Sequence, residues 1–299
     1  MEITGVNLSD LGTGFSAAYE GGFSGVKTSY DKVADVVPST GSENTYAWLK
    51  DWPALREWIG DRKIKQLEGE SYRLGNKKFE STVAINADDI NDDKYGIYTP
   101  RFKAMGIAAA QWKDRLVWPL MPLGFEAVCF DGQKFFDADH PVGSKENGNF
   151  TTVSNMQAGT GNPWFLLDTN QALKPFILQM RQEPEFNSLT DGDTSERVFM
   201  RDEYLYGVKA RANGGFAFWQ TAFGSKAELN AANYEAARLA MLSLENDEGD
   251  KLGVLPNLLV VGPSNEAKAR ALIAKERLAN GEDNVWYKSI EILVSPWLK

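Results

Sequence analysis

Hydrophobic and polar positions along this chain change period several times, and each change predicts an element. Between Thr99 and Val117, Phe102, Met105, Ala109, Trp112 and Leu116 recur at steps of three and four, the spacing of one face of an α-helix. Arg101, Lys103, Lys113 and Asp114 fall largely elsewhere. Thr99 offers a capping hydroxyl and Pro100 suits the first helical position, so a long helix is expected over about 100–118, ending before Pro119. Upstream the period is two. Phe79, Ser81, Val83 and Ile85 alternate with Lys78, Glu80, Thr82 and Ala84, which predicts a strand. Leu74-Gly75-Asn76-Lys77 joins it to the preceding KIKQLEGESYRL, and Gly-Asn favours a tight turn. A long two-stranded hairpin follows, with its tip at Gly75, Asn76, Lys77 and Lys78. Two strands alone are marginal in water, so this tip is expected to rest on a neighbouring subunit, with packing on its own domain as the alternative.

Downstream, Trp164–Leu167 and Phe176–Met180 read as strands, and Leu205–Phe223 as a hairpin about Asn213-Gly214-Gly215. Beyond Gly224 helix and strand alternate. Asn230 caps a helix carrying Tyr234, Ala237, Met241 and Leu244, and Ser264 caps a second one carrying Ala267, Ala271 and Leu272. Leu258–Val261 and Ile290–Val294 are short strands of the buried type. Asn280, Gly281, Glu282, Asp283 and Asn284 have the composition of a solvent-exposed loop tip, and residues 144–163 that of a longer loop. At the other end, residues 1 to about 44 are rich in Gly, Ser, Thr and Asp and show no sustained period. They read as an arm whose Phe15, Tyr19, Phe23 and Tyr30 lie along a partner. Between Tyr46 and Ile59, Trp48, Trp52 and Trp58 with Leu49, Leu55 and Pro53 predict a short anchoring helix.

Bulk properties narrow the function classes. A chain of 299 residues with 43% hydrophobic content forms one large or two moderate domains. Its 41 acidic residues against 32 basic ones give a net charge of -9, so it carries no chain-wide basic footprint for nucleic acid. No window approaches the length of a membrane span, and the N-terminus has no signal-like apolar run. Cys129 is the sole cysteine, which rules out an intrachain disulfide; EAVCFDG reads as a buried setting.

Candidate chemistry concentrates in DGQKFFDADHPVG, Asp131 to Gly143, which holds the only histidine. Asp137, Asp139 and His140 are the ligand types of a metal-dependent hydrolase. Three neighbours in sequence are few for a dedicated site, and Asp-Ala-Asp-His-Pro suits a tight surface turn, so a structural turn without metal is expected. The tryptophans admit a glycan-binding module as another alternative. GPSNEAK (262–268) joins strand to helix but lacks the spacing of a phosphate loop.

Five blocks resemble the gpT family of Mu-like phage and prophage major head subunits. They are NKKFESTVAINADDINDDKYGIY (Asn76 to Tyr98), LLDTNQALKPFILQMRQEPEF (Leu166 to Phe186), EYLYGVKARANGGFAFWQTAFGS (Glu203 to Ser225), LPNLLVVGPSNEAKARALI (Leu255 to Ile273) and IEILVSPWL (Ile290 to Leu298). The DGQKFFDADHP segment shares the likeness, and the blocks stand in the family's order. The resemblance implies an α+β protein with the Hong Kong ninety-seven type capsid fold of tailed phages. Its parts would be an N-terminal arm and anchoring helix (1–55), an extended E-loop hairpin (56–98), a P-domain with the long helix as its spine (99–224) and an A-domain (225–299). In many proteins of this fold the A-domain interrupts the P-domain, so a rearranged order is expected here. The implied function is structural and non-enzymatic, with no cofactor. Subunits would self-assemble in the host cytoplasm into pentamers and hexamers of an icosahedral head around double-stranded DNA, with portal, scaffold and decoration proteins as partners. The 280–284 loop would crowd around the capsomer axes, bringing copies of Glu282 and Asp283 together.

Overall fold

A computed structural model describes residues 5–46, 72–92, 94–143, 150–193, 195–246, 249–278 and 281–299. In chain order, helix α1 (Gly5–Ser24) leads to strands β1 (Ala34–Pro38), β2 (Glu43–Tyr46), β3 (Tyr72–Gly75) and β4 (Lys77–Asn86). Helices α2 (Ala87–Asn91), α3 (Thr99–Val117) and α4 (Leu120–Leu123) come next, then β5 (His140–Val142), β6 (Thr151–Val153), β7 (Met156–Gln157), β8 (Trp164–Leu167) and β9 (Phe176–Leu189). After α5 (Glu196–Arg201) come β10 (Glu203–Phe216), β11 (Ala222–Ser225), α6 (Ala231–Leu242), β12 (Leu258–Val261), α7 (Pro263–Ile273) and β13 (Glu291–Val294). Of the anchoring helix expected over Tyr46–Ile59, with Trp48, Trp52 and Trp58, only Tyr46 is described, as the last residue of β2; the rest lies outside the described residues.

Two sheets organise the molecule. The first has the order β1-β9-β10-β4, parallel only between β1 and β9; the second has the order β13-β12-β8-β11-β7. These groupings cut across the expected domain limits. From residues 99–224, β7, β8 and β11 join β12 and β13 in the second sheet. The first sheet draws β1 from the expected arm and β4 from the expected hairpin. The long β9 and β10 interrupt the chain of the second sheet between β8 and β11, so the two sheets are interleaved in sequence rather than sequential.

The arm is a helix. In α1, Leu8, Leu11, Phe15, Ala18, Tyr19 and Phe23 form a stripe against the first sheet's core, and Phe15 and Tyr19 are buried. Three- and four-residue spacing was present among the glycines and serines that masked it. Phe15 stacks on Phe102 of α3 at 4.3 Å and meets Tyr206 of β10 edge-on at 5.2 Å. Glycines make this crossing close: a Cβ on Gly106 would lie far inside contact distance of the Tyr19 carbonyl, and one on Gly22 of the Lys103 carbonyl. Backbone therefore touches backbone where α1 crosses α3.

Asn213-Gly214-Gly215 is no turn but the interior of the single strand β10. A Cβ on Gly214 would come within 2.8 Å of the Leu116 carbonyl, so its glycine serves the approach of α3 to the sheet. By contrast β8 and β12 match the expected strands Trp164–Leu167 and Leu258–Val261, and each is buried along its full length. Helix α6 has the expected Asn230 cap, Oδ1 accepting from the Asn233 amide at 2.9 Å. Helix α7 begins instead at Pro263 after Gly262 and lacks a side-chain cap, as does α3, where Tyr98 rather than Thr99 precedes the helix.

Candidate functional site

The long helix α3 spans Thr99–Val117, close to the expected limits. Phe102, Met105 and Ala109 are buried, Trp112 and Leu116 half-buried. Asp114, assigned to the polar side, is instead buried. Its Oδ1 accepts from the backbone amides of Ser29 and Tyr30 at 3.0 and 2.7 Å and from Trp118 Nε1 at 3.2 Å. One carboxylate thus pins the segment after α1 to the end of α3, an arrangement no periodicity would expose.

Gly75, Asn76, Lys77 and Lys78 do not form a hairpin tip. β3 pairs with β2, and β4 pairs with β10, where Lys77 and Lys78 stand opposite Ala212 and Arg211. Asn76 marks the point where the chain passes from the β2–β3 ribbon into the first sheet. Its Nδ2 donates to Ser39 Oγ and the Gly41 carbonyl at 2.8 and 2.9 Å, and its Oδ1 accepts from Gln179 Nε2 at 2.8 Å. Gln179 is fully buried, donates to the Leu74 carbonyl and accepts from Tyr46 Oη, each at 2.8 Å. Gly-Asn is here a crossing between two sheets, because Gln179 and the 39–42 turn satisfy Asn76 from outside the local segment.

His140 is also not where a surface turn would leave it. It is fully buried, with its ring stacked on Trp219 at 4.0 Å between centroids. Its Nδ1 faces Asp131 Oδ2 at 2.7 Å and its Nε2 faces Asn155 Oδ1 at 3.2 Å. Asp131, nine residues upstream, also accepts from Cys129 Sγ at 3.1 Å and the Gln133 amide at 3.0 Å. Burial works to raise the Asp131 pKa, but the hydrogen bond and charge of His140, then the thiol and amide, hold it below the usual carboxylate value. Burial, followed by the Asp131 charge, pushes the Cys129 thiol upward, so it stays protonated as a donor. Asp137 accepts instead from the Lys134 and Ala138 amides at 3.2 and 2.7 Å. The trio of Asp137, Asp139 and His140 is therefore replaced by Cys129, Asp131 and His140 as the convergent group among the described residues.

In the 281–284 loop, Glu282 and Asp283 are exposed and Gly281 has the positive φ, 86°, that glycine tolerates. Asn280 lies outside the described residues. Asn284 departs from the expected tip because it is buried, with Nδ2 donating to the Leu272 and Lys275 carbonyls at 2.7 and 2.8 Å. Asp283 lies 3.8 Å from Arg277, an exposed pair of little energetic weight.

The family described as Mu-like prophage major head subunit gpT matches residues 8–298. The chain belongs to the gpT family. It is 39% identical to the major capsid protein of Escherichia phage Mu over 290 residues, 95% of each protein. It also superposes on a subunit from the procapsid of bacteriophage JBD30 with a TM-score of 0.84 at 43% identity, covering 99% of this chain and 100% of that one. A subunit from the JBD30 capsid decorated with minor capsid protein trimers gives 0.76 at 33% identity, covering 92% of both. The fold of this gpT-family chain is thus the mixed α+β fold of tailed-phage major capsid proteins, the Hong Kong ninety-seven type.

Proposed function

We propose that this chain is a major capsid protein that closes into an icosahedral head enclosing double-stranded DNA, through pentamers and hexamers. The observation that carries the reading is the end-to-end likeness to a procapsid subunit at a TM-score of 0.84. In such a shell, heterologous contacts that rotate into rings leave no free face, which limits growth without any catalytic step. A net charge of -9 suits a wall that DNA slides past without sequence-specific binding. Assembly takes place in the host cytoplasm, with portal and scaffold proteins; decoration proteins are partners by analogy with the decorated JBD30 capsid.

Gly75 to Lys78 are engaged by their own chain, and so is the β2–β3 ribbon, whose Tyr46 and Leu74 are buried, so inter-subunit reach is not assigned to either. The 281–284 loop supplies exposed carboxylates Glu282 and Asp283 toward a capsomer axis. Neither alternative gains support. Asp137 spends its oxygens on backbone amides, and Trp118, Trp164 and Trp219 are core residues rather than a sugar platform. Electron microscopy and mass determination of the expressed chain test the proposal. Closed particles of megadalton mass are expected, while a folded subunit that stays monomeric under all assembly conditions would contradict it.

A further inference from the structure

The chain's only histidine and only cysteine meet at one carboxylate. Cys129 Sγ, an Asp131 carboxylate oxygen and His140 Nδ1 all lie within 4.8 Å of one another. Shell contacts do not account for this, because Cys129 and His140 are buried within the subunit. Sulfur, nitrogen and oxygen donors together suit borderline-soft divalent ions better than Mg2+ or Ca2+, which prefer oxygen alone.

The surroundings are organised as a ligand's support would be. Asn155 Nδ2 donates to the carbonyls of Phe135, Trp219 and Ala222 at 2.8, 3.3 and 3.3 Å, which fixes its amide and turns Oδ1 toward His140. Nε2 must therefore carry a proton, and Nδ1 is the nitrogen aimed at Asp131 and Cys129. Metal-bound histidines are commonly held in this way, one ring nitrogen donating to a fixed acceptor and the other facing the ion. Trp219 stacks on the ring and restrains its tilt. Asp131, with a side chain 11% exposed, gives the otherwise buried group an edge to solvent and hence an entry path.

We propose that Cys129, Asp131 and His140 form a binding site for a divalent cation of the Zn2+ class. Zinc bond lengths imply donor spacings of about 3.3–3.6 Å in a tetrahedron, so the three groups need to shift by roughly an ångström. A water or the second Asp131 oxygen completes the shell. Binding is proton exchange without redox change. The Cys129 S–H bond breaks and its electron pair forms the sulfur–metal bond; the proton shared between Nδ1 and Asp131 leaves, freeing the Nδ1 pair and an Asp131 oxygen pair for the other two bonds, and both protons pass to solvent. The ion would brace the 129–140 segment against Asn155 and Trp219, which lie beside the second sheet.

Co2+ added to the full-length protein tests this, because a near-ultraviolet thiolate-to-cobalt band can arise only from Cys129. The band is expected at one equivalent, to be lost on adding Zn2+, to be insensitive to Mg2+ and to be absent from Cys129→Ser. Zn2+ should also raise the melting temperature of the wild type and leave that of His140→Asn unchanged. Absence of the band from folded wild type at millimolar Co2+ would overturn the proposal and leave a self-satisfied hydrogen-bonded cluster. A Zn2+ thermal shift that persists in both variants would overturn it as well.

Discussion

In the second sheet, Trp164–Leu167 of β8 and Leu258–Val261 of β12 bury every side chain, and the core is an interlocking of large apolar groups. In the first sheet, the helices come to rest through bare backbone at Gly22, Gly106 and Gly214, and polar side chains close the joints at Asp114, Asn76 and Gln179. The difference separates two ways of specifying a fold. Side-chain packing announces itself as an apolar run, whereas backbone proximity is written as the absence of a side chain and resembles loop composition.

The contrast sharpens first where side chains dominate. Trp164→Ala should destabilise the subunit by roughly 3–5 kcal/mol through transfer loss and cavity formation, read by denaturant unfolding. A loss under about 1 kcal/mol would mean that the second sheet does not depend on that packing. At the polar joint, Asp114→Ala removes the acceptor of two half-buried amides and the buried Trp118 indole. About 1.5–3 kcal/mol should be lost, and Asp114→Asn should recover part of it. Asn76→Ala should cost about 1–1.5 kcal/mol by the same reasoning. Smallest is Glu282→Gln with Asp283→Asn, which should change stability by less than about 0.5 kcal/mol. The pair should nevertheless flatten the salt dependence of assembly if the carboxylates face one another across an axis, because salt screens exposed like charges.

The same contrast explains what was legible beforehand. β8, β12, α3 and α6 follow from apolar spacing, and their limits fall within a residue or two of those read from pattern. α1 was hidden although Leu8, Leu11, Phe15 and Tyr19 kept helical spacing, because its glycines and serines look like an arm until the closeness of α3 gives Gly22 a purpose. Asn213-Gly214-Gly215 failed for the same reason. Local turn chemistry misassigned Gly75-Asn76, where Gln179, about a hundred residues away in sequence, decides the pairing. In the His140 group the histidine was visible and its partners were not. Asp137 stands near it in sequence but serves the local backbone, whereas Asp131 and Asn155 reach the ring only through the fold.

The most direct test of whether backbone contact holds the first half together lies in two identical changes. Gly106→Ala and Gly14→Ala each add one methyl within a helix, yet a Cβ at Gly106 meets the Tyr19 carbonyl while one at Gly14 meets nothing within 4 Å. Thermal and denaturant unfolding of both should give opposite signs. Gly14→Ala is expected to stabilise by about 0.5–1 kcal/mol from helix propensity, and Gly106→Ala to destabilise by about 1–3 kcal/mol through overpacking. Equal stabilisation by both would contradict the account.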